Sequence, residues 1–201
     1  MKPALRVLPA ILLFGGTQLI LTSCTDHVTT QTTAAASYTP GVPGGTLTQT
    51  IEVTAKVSAV DSATRKVSLV SRTGEKFTVT AGPEVVNFRQ IRVGDHLKVT
   101  YAEELVVRMA KLGESTEDTG SSTADLAALG EKPGGTFSAT LKTAATVVEI
   151  DARRRTVKLQ YSDGTSKTVP VRDDIDLSKH RTGEKVIIRL TGALAVRMEK
   201  A

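Results

Sequence analysis

The chain repeats itself at an interval of 90 residues, and this repeat restricts its possible folds more than any other feature. Residues 43–46, Pro-Gly-Gly-Thr, recur as residues 133–136, and residues 57–79 share apolar, charged and glycine positions with residues 147–169. After the deletion of one residue the correspondence continues to the end of the chain. The sequence therefore predicts one structural unit of roughly 70 residues, large enough to fold around a small core and used twice.

Within each unit the apolar residues recur with a period of two. Ile51, Val53, Ala55 and Val57 alternate with polar residues, as in a β-strand that buries one face. Turn residues separate five such segments per unit, and an irregular insert follows the third. This order predicts an all-β protein of two tandem five-stranded barrels, either OB-like or SH3-like, because barrel closure would also remove exposed strand edges.

Composition sets the boundaries around the two units, which we assign to residues 44–112 and 133–201. Residues 113–132 are rich in Ser, Thr and Gly and carry five acidic residues against one lysine, so they are predicted to form an acidic linker. Residues 24–43 are rich in Thr, Ala and Ser and lack apolar periodicity. Such a segment buries too little surface to order itself, which predicts a flexible tether.

The first 23 residues have the organisation of a secretory signal peptide. Lys2 and Arg6 precede a short apolar stretch, and small residues precede Cys24. Residues 21–24, Leu-Thr-Ser-Cys, resemble the lipobox of bacterial lipoproteins. The resemblance implies that Cys24 becomes the first residue of the mature chain and carries lipid on its sulfur, whereas the alternative is a free thiol beside an ordinary cleavage site. It also implies a periplasmic protein anchored in the outer membrane, because no Asp directly follows the cysteine.

Composition also narrows the kinds of ligand. Aromatic residues make up 3% of the chain, Trp is absent, and Cys24 is the single cysteine. Stacking platforms for nucleic acid bases and an internal disulfide framework are therefore not expected. His27, His96 and His180 do not stand in a metal-ligand spacing, and no catalytic constellation is recognisable. We accordingly expect a non-catalytic protein without a cofactor.

A second resemblance concerns residues 87–95, Asn-Phe-Arg-Gln-Ile-Arg-Val-Gly-Asp, and the alternating segment that follows them. They are similar to uncharacterised secreted bacterial proteins with small β-barrel repeats. The resemblance implies a fold and a location but no activity.

Two groups of residues are candidates for binding. Arg153, Arg154 and Arg155 lie in a turn close to Lys158, in a unit with 13 basic and 8 acidic residues. This basic turn could contact an anionic envelope polymer or an envelope protein, or it could simply be solvated. Met109 and Met198 occupy equivalent positions and suggest an alternative, a copper-handling site, since thioethers suit Cu(I). The preferred hypothesis is a membrane-anchored binding or scaffolding module.

Overall fold

The computed structural model describes residues 30–201, and within them the predicted all-β class is confirmed. This part of the chain contains ten β-strands and no α-helix, and the strands form one antiparallel sheet that does not close. The strands are β1 (Thr30–Ser37), β2 (Gly44–Asp61), β3 (Lys66–Ser71), β4 (Lys76–Thr80), β5 (His96–Met109), β6 (Thr119–Leu126), β7 (Gly134–Asp151), β8 (Thr156–Tyr161), β9 (Ser166–Pro170) and β10 (Lys185–Glu199).

The order of the strands reproduces the sequence repeat. Along the sheet they run β4-β3-β2-β5-β10-β7-β8-β9, while β1 pairs with β2 and β6 pairs with β7. The first half of the protein (β1–β5) and the second half (β6–β10) therefore have the same topology. They join where β5 pairs with β10 over the full length of β5. Because β5 and β10 continue a single sheet, the prediction of two five-stranded OB-like or SH3-like barrels is not confirmed.

The longest strands, β2 and β7, each take part in two ladders. Residues 44–56 of β2 pair with β5, and its last residues pair with β3 after a register shift between Val57 and Ala59. In β7 the shift lies between Val147 and Glu149. A bulge of this kind bends a strand and increases its twist. The strand pairs β3–β4 and β8–β9 thus continue the same sheet beyond a bend in β2 or β7.

Two strands occupy segments that the sequence assigned to a tether and a linker. β1 lies in the predicted flexible tether and β6 lies in the predicted acidic linker, and every described side chain of both strands is exposed. Their order comes from the main chain, because each adds eight paired residues along the outer side of β2 or β7. A search for apolar periodicity misses such strands, since they bury almost no apolar surface.

Each half contains a small core that is completed by the last strand of the other half. Met198 of β10 is 7% exposed and packs with Val57, Leu69 and Phe88 of the first half. Met109 of β5 packs against the core formed by Val147, Leu159 and Val186 in the second half. This reciprocal exchange follows from the β5–β10 ladder, which carries the end of each strand into the neighbouring half.

The ladder between β5 and β10 has an approximate two-fold axis at its centre. Leu97 pairs with Met198 and Met109 pairs with Val186, which are equivalent pairs when the two repeats are aligned. At the centre Glu103 faces Gly192, its own counterpart in the second repeat. Two glutamates in this position would place like charges directly opposite each other, which destabilises an antiparallel pair. Gly192 avoids that repulsion.

Loops are exchanged between the halves as well. The side chain of Asn87 is 4% exposed, and its amide donates to the carbonyl oxygen of Ala128 at 2.7 Å in the loop between β6 and β7. On the other side, the Arg172 guanidinium donates to the carbonyl oxygen of Val42 at 2.8 Å and lies 4.2 Å from the centre of the Tyr38 ring. Each half therefore fixes the entry loop of the other.

Candidate functional site

The predicted basic turn does not form one positively charged surface. Arg155 has a positive φ of 51° and turns its guanidinium inward, where it donates to the carbonyl oxygens of Arg172 and, at 2.8 Å, Ile175. Its Nε also lies 3.1 Å from a carboxylate oxygen of Asp173. In the first half Arg65, at φ 55°, bonds in the same way to the carbonyl oxygens of Gly82 and Val85. Arg155 is thus part of the framework of the second half.

The other three residues of the basic turn are exposed, and two of them have an acidic neighbour. Asp151 accepts the amide hydrogens of Arg153 and Arg154 at 3.0 and 2.9 Å, and its carboxylate lies 3.8 Å from the guanidinium of Arg154. Lys158 pairs directly with Glu149 in the β7–β8 ladder. The positive charge of this turn therefore lies beside two carboxylates, those of Asp151 and Glu149.

Met109 and Met198 lie at opposite ends of the β5–β10 ladder. Twelve residues separate Leu97, the partner of Met198, from Met109 in the same strand. At about 3.3 Å per residue the two methionines are roughly 40 Å apart, too far to share an ion. In residues 30–201 no group of three His, Cys, Asp or Glu side chains is placed to hold a metal ion. The structure places both methionines among apolar side chains instead.

The most extensive candidate surface is one that the sequence did not single out. Six strands overlap over eight residues each in the order β1-β2-β5-β10-β7-β6, and the register places residues that pair across the strands on the same face. One face of this central sheet carries most of the large apolar side chains. We call it the central apolar face; its members are Leu47, Ile51, Val53, Val99, Tyr101, Leu105, Leu126, Phe137, Leu141, Leu190, Leu194 and Val196.

Within the described residues no second layer covers the middle of this face. Leu47, Leu126, Phe137 and Leu141 are 44%, 50%, 40% and 59% exposed, and Leu105 is half-buried. The face includes a shallow groove of about 640 Å³. Scattered exposed leucines are ordinary on protein surfaces, but a contiguous apolar patch is characteristic of an interaction site.

One charged side chain lies at the centre of the central apolar face. Glu103 accepts a hydrogen bond of 2.6 Å from the Tyr101 hydroxyl, and this bond, together with burial, raises the pKa of Tyr101. Gln49 is the neighbour of Glu103 on β2 and Gly192 is its neighbour on β10. The face thus combines a broad apolar surface with one central carboxylate.

Part of this face follows from the sequence. Leu97, Val99 and Tyr101 alternate with polar residues, and the ladder places them on one face of β5. The rest of the face depends on strand length, since β5 extends over 14 residues. A strand of the usual five or six residues would pack in one small core and would not extend across the central sheet.

Comparisons with known proteins identified no relative of this chain. No family model, curated protein or solved structure matches the chain. Among residues 30–201 no helix is long and apolar enough to cross a membrane. Residues 1–29, which include the predicted lipobox and Cys24, lie outside the described part of the chain.

Proposed function

We propose that this chain is a lipid-anchored, non-catalytic binding protein of the bacterial envelope that docks a second envelope protein on its central apolar face. The observation that carries the proposal is the uncovered apolar surface on six adjacent strands. With strands about 4.8 Å apart and residues about 3.3 Å apart, that face measures roughly 700 Å². A specific protein interface of standard size buries about 800 Å² on each partner.

The chemistry of the face defines the partner. Leu47, Leu141 and Phe137 would contact apolar side chains, while Glu103 at the centre calls for a cation or a hydrogen-bond donor. Burying an unpaired carboxylate is costly, so the occupant should bring a lysine or arginine to this position. A second copy of the chain centred on the same axis would instead bring a second Glu103. We therefore propose an apolar segment of another envelope protein with one basic residue.

The proposed anchor would hold this face close to the membrane. Thr30, the first residue of β1, lies six positions after Cys24. At about 3.3–3.6 Å per residue the connection spans at most roughly 20 Å. Because β1 is the edge strand of the central sheet, a lipid on Cys24 would place the docking surface at the bilayer, and we propose the periplasmic side of the outer membrane.

A photo-reactive amino acid in the full chain tests the docking surface in intact cells. Leu47 and Thr48 are both exposed but lie on opposite faces of β2, so they form a matched pair. We expect a crosslinked envelope protein from position 47, little product from position 48, and a loss of product when Glu103→Lys is added. Equal products from both positions would refute the proposal. Product from position 154 and none from position 47 would assign binding to the basic turn instead.

The anchor is tested separately by membrane fractionation. Cys24→Ala should release the chain from the membrane fraction, because several buried acyl chains are what hold such a protein stably in a bilayer. The control is Thr29→Ala, which keeps the cysteine and all four residues of the lipobox-like motif. Unchanged fractionation of Cys24→Ala would remove the lipid anchor from the proposal and would leave the docking surface untouched.

A further inference from the structure

In the second half, the segment that joins β5 to β6 lies across the face of the sheet opposite the central apolar face. Glu114 pairs with the Arg108 guanidinium, the ammonium group of Lys142 donates to the carbonyl oxygen of Ser115 at 2.7 Å, and the Ser162 hydroxyl donates to Asp118. Hydrogen bonds from Ser162 and Thr143 lower the pKa of Asp118. An acidic segment of the chain is thus held in place by basic and hydroxyl groups.

The burial of the residues beneath this segment shows that it covers them. Ile187 and Ala144 are 2% and 7% exposed. Their counterparts in the first half, Lys98 and Thr54, are only half-buried. There the corresponding region is a cleft of about 460 Å³ lined by residues that include Lys56, Arg72 and His96.

Two of the three basic residues of the first cleft replace hydroxyl residues of the second half, and the third replaces a lysine. Repeat alignment equates Lys56 with Thr146, Arg72 with Ser162 and His96 with Lys185. In the second half Lys185 donates to the Thr146 hydroxyl at 2.6 Å.

Lys56 and His96, in contrast, lie directly opposite each other in the β2–β5 ladder. Both side chains can donate hydrogen bonds to an anion placed between them, and the ammonium group of Lys56 adds a positive charge. The surrounding charges include two carboxylates, but neither lines the cleft. Glu199 pairs with His96 from β10, and Glu52 lies 3.5 Å from Lys98. On the other side Val70 separates Lys56 from Lys76 in the β2–β3–β4 ladders. Acidic and basic residues therefore both lie around the cleft, but the ionisable residues that line it are basic.

We propose that the cleft at Lys56, Arg72 and His96 is a binding site for an extended acidic peptide, which lies on the first half as residues 113–118 lie on the second. Arg72 takes the place of Ser162 as the residue that receives a carboxylate. A guanidinium binds carboxylates through paired, charge-assisted hydrogen bonds and is better suited to this role than a hydroxyl. The cleft and the central apolar face lie on opposite faces of the sheet, so the two sites fail or succeed independently.

The natural probe is a synthetic peptide with the sequence of residues 113–119, Gly-Glu-Ser-Thr-Glu-Asp-Thr, blocked at both ends and labelled with a fluorophore. Its binding to the purified full chain is followed by fluorescence anisotropy at low and at high salt. We expect saturable binding that weakens as salt rises, because the site is open to solvent and its charges are screened. A peptide with Gln and Asn in place of its Glu and Asp residues should not bind.

The repeat also supplies the variants. Arg72→Ser and Lys56→Thr install the residues of the second half, and each should weaken peptide binding about tenfold or more, as expected when a charge-assisted hydrogen bond is lost. Arg154→Ser removes a cation from a side chain that is 84% exposed and should leave binding unchanged. Since Lys56 and Arg72 are both exposed, neither substitution threatens the fold.

Two results would overturn the proposal. The first is that Arg72→Ser does not weaken binding of the acidic peptide, whether both proteins bind it equally or neither binds it. The second is that binding does not depend on an acidic peptide. This would be shown by equal binding of the neutral peptide, or by displacement of the acidic peptide by inorganic phosphate at the same molar concentration.

Discussion

Met109 and Met198 occupy equivalent positions in the two repeats, and each packs in the core of the half to which it does not belong. The sequence offered them as candidate copper ligands, but the structure gives them a different task. A thioether side chain is flexible and fills irregular space between packed side chains. The pair explains why the chain needs both repeats, because neither core is complete within its own half.

Met198→Ala should therefore destabilise the protein, although Met198 lies only one residue before the end of the last strand. Methionine-to-alanine substitutions in a core cost about 2–5 kcal/mol, and Met198 is 7% exposed. Chemical denaturation of the purified chain measures the loss. Leu129→Ala is the control, since that side chain is 84% exposed and its truncation should change stability by less than about 0.5 kcal/mol. A cost below about 0.5 kcal/mol for Met198→Ala would contradict the exchange of cores.

A fragment of residues 30–112 should not form a folded monomer. It lacks Met198, the strand β10 that pairs with one edge of β5, and the loop that Asn87 binds. We expect either an unfolded chain or a dimer in which two β5 strands pair about the two-fold axis. Size-exclusion chromatography with circular dichroism distinguishes these states. A stable monomer with the native strand content would show that the halves fold independently.

Arg155 and Arg154 should differ sharply in their effect on stability. Arg155→Gly keeps the positive φ that the turn requires but leaves the carbonyl oxygens of Arg172 and Ile175 without their charged donor, at a cost of about 1–3 kcal/mol. Arg154→Gly removes an exposed side chain and should cost much less. Thermal and chemical unfolding of the two variants provide the comparison. Equal losses would mean that the inward guanidinium does not support the second half.

The ion pair between Glu114 and Arg108 should make stability depend on pH in the acid range. Hydrogen bonding to Arg108, followed by the amide of Lys111, lowers the pKa of Glu114 from an ordinary value of 4.5 to about 2. A depressed pKa means that the ionised form stabilises the folded state. The stability difference between the wild type and Glu114→Gln should be fully present above about pH 5 and vanish as the pH falls towards 2. Glu117→Gln, in the same segment, should show no such difference; a pH-independent effect of Glu114→Gln would contradict the assignment.

Gly192→Glu restores the symmetry of the repeat and should reveal why the repeat departs from it. An added Cβ meets only the Tyr101 side chain, at ordinary contact distances of 3.6 Å from its hydroxyl and 3.8 Å from its ring, so the backbone accepts a side chain. At neutral pH Gly192→Glu should be less stable than Gly192→Gln by about 0.2–1 kcal/mol, through repulsion from Glu103. Adding Glu103→Gln should abolish that difference. A difference that persists in the double variant would exclude repulsion as its cause.

Several parts of the fold could be predicted because local rules decide them. The alternation of Val53, Ala55 and Val57 predicts a strand, and turn residues are predicted to end it; in the structure the turn follows at Asp61, which accepts the amide hydrogen of Ala63 at 2.9 Å. Hydrogen bonds from Thr64 lower the pKa of Asp61 as part of that turn. Hydrogen bonding among a few neighbouring residues can be predicted from a sequence.

The candidate sites depend on contacts between residues that lie far apart in the chain. The sequence grouped Arg153, Arg154, Arg155 and Lys158 by proximity, but the fold turned Arg155 inward and placed Glu149 opposite Lys158. It gave no reason to join Lys56, Arg72 and His96, which belong to different strands and loops. Their association arises only when β2, β3 and β5 are aligned in register.

By itself, the sequence determined that this protein is built twice from one all-β unit, because residue alternation and turn chemistry act over a few positions. It also contains Cys24, the residue on which the proposed anchor rests. Only the tertiary structure decided that β5 and β10 join the two units into one open sheet, exchange Met109 and Met198, and leave an apolar face uncovered. The reason is physical: alternation specifies which side chains share a face of a strand, whereas pairing between distant strands decides what, if anything, packs against that face.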